Sequence, residues 1–266
     1  MDEEQIDESR KEAIEYLERL KFNLDDLSDK PLNLRQKYFT KFQALNLKVH
    51  EDHAYLDLST IMNEMVVSFI APAYYFNTYI KNLIKDLTWD EYKYSINEVE
   101  WISGIIRRSK YQADAHSVFL SIKMALDRLV VVFTYYYNGL SPSTTFGRYK
   151  DSGKATGLMS KVNELKSTDP LMAYIEKNYH EWIKDVVYPR DMITHYNDLS
   201  IHYHLDAETG YEFPVHIADK LLKDESASKA YGFMTINEYA DNWYKFFSEI
   251  MKFLLEKELT TDRPRI

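Results

Sequence analysis

Apolar positions recur at helical intervals along most of the chain. From residue 4 to 21, Ile6, Ala13, Ile14, Leu17 and Leu20 draw one stripe along an otherwise charged helix. The stretch "NLDDLSDKPLN" interrupts the pattern, with Pro31 as punctuation, and a second helix is predicted over about 33–51. The clearest period follows: Leu58, Ile61, Met62, Met65, Val66, Phe69 and Ile70 fall on one helix face. Pro72 should kink or interrupt that helix before "YYFNTYIKNLIKDL". Thr88-Trp-Asp-Glu91 has the form of a capping box, which predicts a new helix running through Trp101 and Ile105. Residues 111–137 are apolar on most faces, as a central buried helix should be, and Asn138-Gly139 should end it. "GLSPSTTFG" (139–147) reads as a flexible loop. Asp169-Pro170 then opens a helix through Trp182 to about Val187, with the aspartate as N-cap. Thr235 and Glu238 form a second box that launches the last helix through Trp243, Phe246, Ile250 and Leu254.

Alternation with a period of two appears only once. "IHYHLD" (201–206) and "YEFPVHI" (211–217) flank "AETG", which predicts a small β-hairpin with Pro214 on an edge strand. The fold class is therefore all-α, a helical bundle with one small β-hairpin near 201–217. Residues 1–54 read as an N-terminal helical extension packed on the core, 55–258 as the bundle, and 259–266 as a tail.

Composition narrows the chemistry. The 266 residues contain no cysteine, which removes disulfides, thiolate metal sites and cysteine nucleophiles. A net charge of −9 argues against bulk, sequence-independent nucleic-acid binding. It leaves room for local basic paths, and "IIRRSK" (105–110) and "RYKDSGKATGLMSK" (148–161) are two of them. The acidic start carries no signal-peptide core, and "LVVVFTYYY" (129–137) is too short to span a bilayer. The expectation is a cytoplasmic protein with no membrane partner.

Several machines fail on spacing. No glutamate stands three residues before any histidine, so a di-iron carboxylate bundle is excluded, and no His-Glu-x-x-His zinc motif occurs. "GRYKDSGKA" (147–155) departs from a P-loop, with five residues between its glycines and Ala155 in place of a magnesium-binding hydroxyl. His202, His204 and His216 fall on the predicted hairpin without a carboxylate or fourth histidine placed to complete a metal site.

"YPRDMITHYND" (188–198) stands apart from this background. Tyr188 precedes proline and is pushed towards extended geometry, whereas Pro189 suits a first helical turn. Asp191 and His195 are then i and i+4 neighbours, so the carboxylate can orient the imidazole and favour its charged form. Arg190 lies about 140° round such a helix from His195 and about 7.5 Å along its axis, within joint reach of a phosphate.

Arginine, a polar residue, and histidine five positions after the arginine, late in an all-α bundle, resemble the R-x4-6-H signature of the HEPN superfamily. "Arg190-Asp191-Met-Ile-Thr-His195" matches the R-x4-H form. The resemblance implies an HEPN-like bundle and a metal-independent endoribonuclease that needs no cofactor and works as a homodimer. It assigns acid–base chemistry to His195, phosphate binding to Arg190 and an orienting role to Asp191. It also implies an RNA substrate and, in a defence or toxin–antitoxin setting, an antitoxin partner. One departure is visible: Tyr196 follows the histidine directly, where nucleotidylated members of the superfamily carry tyrosine two positions on. A reading of a different class is a non-catalytic helical binding module.

Overall fold

The computed structural model describes residues 3–45, 54–88, 98–150, 152–186, 200–201, 204–206, 210–212, 215–216 and 236–260. The chain is mostly helical. Its helices are α1 (Glu3–Leu20), α2 (Leu24–Ala44), α3 (Ala54–Thr88), α4 (Glu98–Phe133), α5 (Leu158–Leu165), α6 (Pro170–Asn178) and α7 (Ile236–Glu256). Short antiparallel pairings join β1 (Ser200–Ile201) to β4 (Val215–His216) and β2 (His204–Asp206) to β3 (Gly210–Glu212). No described helix is long and apolar enough to cross a membrane.

The chain divides into two compact units, each assembled from three separate segments. One comprises Met1–Phe22, Pro72–Leu120 and Tyr188–Asp241, the other Asn23–Ala71, Ser121–Val187 and Asn242–Ile266. In the first, Leu17, Phe76, Tyr79, Ile80, Val118 and Phe119 are buried. The Asn77 amide clamps the chain as it leaves α1: its Oδ1 accepts from the Phe22 amide and its Nδ2 donates to the Phe22 carbonyl, both at 2.9 Å. Asn82 donates to the Asp114 carboxylate, whose pKa burial nonetheless pushes up.

The second unit is built around the aromatic face of α7. Trp243, Phe246, Phe247, Ile250 and Leu254 are fully buried. Trp243 stacks on Phe247 at 5.5 Å and donates from Nε1 to the Phe69 carbonyl at 3.2 Å. Phe246 meets Tyr174 and Trp182, each at 5.8 Å between ring centroids. Beyond the end of α7, Lys37 Nζ donates to the carbonyls of Leu255 and Lys257 at 2.7 and 3.2 Å. A cation is favourable there, where helix carbonyls lose their partners. Tyr38 donates to the Lys257 carbonyl at 3.1 Å, and Tyr136 donates to the Tyr38 hydroxyl at 2.9 Å.

Four local expectations are corrected. Pro31 does not punctuate: α2 starts seven residues earlier, with Asn23 accepting from the amides of Asp25 and Asp26, and runs through the proline. An interior proline costs roughly 3 kcal/mol. Burial of Leu27, Leu34, Tyr38 and Phe42 on the same helix offsets it, at about 1.5–3 kcal/mol for each large side chain. Pro72 likewise lies inside α3 and does not interrupt it. Thr88 is itself a helical residue of α3 and not a cap ahead of a new helix, and residues 89–97, with the rest of that capping box, lie outside the described residues. The stretches read as separate helices around 101–105 and 111–137 form one helix, α4, which ends at Phe133.

Asp169 shows how local chemistry becomes tertiary structure. As expected, it caps α6 ahead of Pro170, Oδ1 accepting from the amides of Leu171 and Met172 at 2.9 and 3.3 Å. Its Oδ2 accepts from Tyr137 at 2.9 Å and from Lys257 Nζ at 2.7 Å. Burial alone would raise its pKa, but the bonds from Lys257, Tyr137 and the Met172 amide outweigh it and hold the carboxyl below its ordinary value. A depressed folded-state pKa contributes stability above the unfolded value, lost as pH falls through the folded one. Asp169→Ala should cost about 2–3 kcal/mol by denaturant unfolding at neutral pH. The gap to wild type should narrow only below about pH 4; equal midpoints at neutral pH would refute the role.

Candidate functional site

Arg190, Asp191 and His195 lie outside the described residues, as do His202 and Thr235. The described chain approaches the motif through α6 and a π-helical turn, Tyr179–Ile183, before helical residues 184–186. The Lys184 amide donates to the Tyr179 carbonyl, five residues back. One residue is thus inserted into the helical count, a feature found disproportionately beside functional sites. Asn178 fastens the turn: its Nδ2 donates to the Tyr174 carbonyl and its Oδ1 accepts from Trp182 Nε1, both at 2.9 Å.

The loop expected at 139–147 is irregular, and it is anchored near its end: Phe146 is buried, and its amide donates at 2.8 Å to Asp127, which also accepts from Lys123. Arg148–Thr156 then folds as a narrow antiparallel hairpin. Tyr149 bridges Ala155, Thr156 donates to the Arg148 carbonyl at 3.0 Å, and Lys150 donates to the Lys154 carbonyl at 2.9 Å. Two glycines hold its base shut. Gly147 and Gly157 have φ of 77° and 59°, and their backbones approach so closely that a side chain fits at neither. A Cβ on Gly147 would lie 1.8 Å from the Thr156 carbonyl oxygen, and one on Gly157 would lie 2.4 Å from that of Thr145. Gly147, the first glycine of the failed P-loop, serves with Gly157 as a closure.

Tyr149 fastens the hairpin to α6. Its amide donates to the Tyr179 hydroxyl at 3.1 Å, and its own hydroxyl donates to Glu176. Glu176 also accepts from Lys166 at 2.7 Å and lies 3.3 Å from His180 Nε2. The His180 ring stacks on Tyr149 with centroids 5.6 Å apart, yet its side chain remains 56% exposed. Burial would raise the Glu176 pKa, but hydrogen bonds from Lys166 and Tyr149 hold it below the usual range. Burial, and then the bond to Glu176, push the Tyr149 hydroxyl well above its ordinary pKa. Chemically the cluster is a carboxylate-oriented imidazole beside a basic hairpin.

None of this cluster was singled out from sequence except the basic stretch itself. The signal for the rest was the i, i+4 spacing of Glu176 and His180 and the paired glycines at the ends of the stretch. Of the histidines weighed for a metal, His204 pairs across its ladder with Glu212, whereas His216 pairs with Ser200. Among the described residues no three histidine, aspartate or glutamate side chains gather as a metal site. No family model, curated protein or solved structure matches the chain.

The glycine closure makes a graded prediction. Gly153, φ 76°, has open space where its Cβ would sit, so Gly153→Ala should lose only the backbone preference, about 1 kcal/mol. Gly147→Ala meets backbone at once and should cost at least twice as much. Urea midpoints give the comparison, and equal losses would show that the close approach carries no energy.

Proposed function

We propose that this chain is an HEPN-type endoribonuclease, metal-independent and acting as a homodimer on RNA. The observation that carries the reading is the Arg190-Asp191-x3-His195 constellation, with its R-x4-H spacing, placed late in a mostly helical chain. In this reading the helices form an HEPN-like bundle, and the antiparallel segment between Ser200 and His216 is a hairpin insertion. The reaction is a transesterification. A base removes the ribose 2′-proton, the 2′-oxygen attacks the adjacent phosphorus, and the 5′-oxygen of the next nucleotide leaves with a proton. His195 serves the proton transfers, and Arg190 stabilises the charge that builds on the phosphoryl oxygens. Asp191 orients the imidazole. The nucleophile is internal to the RNA, so the step needs no metal-bound water. Such an enzyme would work in the cytoplasm, with an antitoxin partner if it belongs to a toxin–antitoxin pair.

A second reading rests on the net charge of −9, unhelpful for gripping a polyanion. It makes the chain a non-catalytic helical binding module.

RNA cleavage separates the two. His195→Ala should lower the rate by about 10²–10⁴, and Arg190→Ala by a comparable factor. Asp191→Asn should be milder, since it keeps an acceptor and loses only the charge. Cleavage should survive EDTA and leave cyclic or 3′-phosphate ends, and light scattering should give a dimer at micromolar protein. Cleavage by the Arg190→Ala/His195→Ala variant at the wild-type rate would sink the enzyme reading.

A further inference from the structure

The hairpin of the second unit carries an arrangement of charge that the fold itself does not use. Tyr149 bridges Ala155 across the two short strands, so Lys150 faces Lys154 and Arg148 faces Thr156. With side chains alternating between faces, Arg148, Lys150 and Lys154 share one face and Tyr149 takes the other. All three cations are exposed. Among the described residues none of their side chains makes a hydrogen bond or an ion pair; Asp151 lies outside the described residues. Elsewhere in the same unit lysines meet carboxylates: Lys30 with Asp26, Lys41 with Glu258, Lys123 with Asp127, Lys257 with Asp169. Like charges directly across a ladder are destabilising. An acidic protein with carboxylates to spare has thus placed three cations together, on a hairpin held by two glycines and a buried Phe146.

That geometry suits a row of phosphates. Exposed cations recover their mutual repulsion when a polyanion neutralises them, and the backbone that carries these three is already held in place. Tyr149 and the His180 ring stacked on it take the opposite face of the hairpin and leave the three cations as a face of charge alone. Positively charged surfaces that follow the backbone phosphates are the means by which proteins grip single strands.

We infer that the cationic face of the Arg148–Thr156 hairpin is a phosphate grip for single-stranded RNA. The choice of RNA rests on the ribonuclease reading, whereas the grip itself rests on the hairpin. It would give an otherwise acidic protein a local place to hold substrate without making its whole surface basic.

The test is fluorescence anisotropy with a labelled mixed-sequence single-stranded RNA, using full-length protein with His195→Ala to prevent turnover. Single strands contribute about 0.7 to the log–log salt slope per phosphate contact. Replacing Arg148, Lys150 and Lys154 together by Gln should therefore lower the slope by about 2 and weaken binding about 100-fold at 0.1 M salt. The melting temperature should stay level or rise, because like charges have been removed. Lys150→Arg/Lys154→Arg should keep wild-type affinity. If RNA binds through the hairpin and wild type leaves it uncut, the inference stands and the ribonuclease reading falls. Unchanged affinity and slope in the triple variant would overturn the inference even if wild type cleaves RNA. So would RNA failing to bind at all, or polyglutamate competing as well as RNA.

Discussion

The second unit depends on burying one aromatic helix face. Trp243, Phe246, Phe247, Ile250 and Leu254 stabilise α7 only once they are packed, since most of a helix's stability in a protein comes from burying its apolar face. Their partners stand far back along the chain. Trp243 reaches the Phe69 carbonyl, 174 residues earlier, and Phe246 reaches Tyr174 and Trp182. Closing such separations costs chain entropy before any contact is gained, so the reward must be large and shared. Five large side chains at about 1.5–3 kcal/mol each supply it. The caps at the end of α7 then fix where the helix stops: Lys37 holds the carbonyls, and Tyr38 and Tyr136 back it from beneath.

Charge in this unit performs positioning that the apolar core cannot. Greasy surfaces set how much is buried, but they tolerate sliding. Asp169 fixes three elements at once: the start of α6, Tyr137 after α4, and Lys257 after α7. Glu176 does the same for the hairpin, through Tyr149, Lys166 and His180. Both carboxylates are held ionised against the opposing effect of burial. Breaking either network by removing one partner would leave charge without compensation, the costly half of such interactions.

Helical periodicity made most of this architecture legible. The stripe of α3, the Asp169-Pro170 start of α6 and the apolar face of α7 all follow from spacing and capping chemistry. The failures have separate causes. Pro31 and Pro72 read as breaks because their local cost is real, but burial along α2 and α3 exceeds it. A one-residue π insertion leaves the pattern too briefly to show, so Tyr179–Ile183 was invisible. The hairpin at 148–156 went unread, because its stretch stood out only by its basic residues and the close approach of Gly147 to Gly157 does not show in spacing. The Arg190, Asp191 and His195 motif was the strongest chemical signal in the sequence, and it lies outside the described residues. The cluster of Glu176, His180 and Tyr149 carried almost no sequence signal, because its members meet across a bridge that spacing does not reveal.

Gly147 and Gly157 also bear on how such a protein can change. The pair fixes the two ends of a short segment against each other, while Gly153 between them has open space around it and Arg148, Lys150 and Lys154 are exposed. Variation is therefore unevenly permitted: almost none at the two joints, and a great deal across the exposed face they present. A segment built in this way can exchange its surface chemistry without disturbing the helices that carry it. Descendants could acquire new ligands here by a few substitutions, leaving the rest of the molecule as it is.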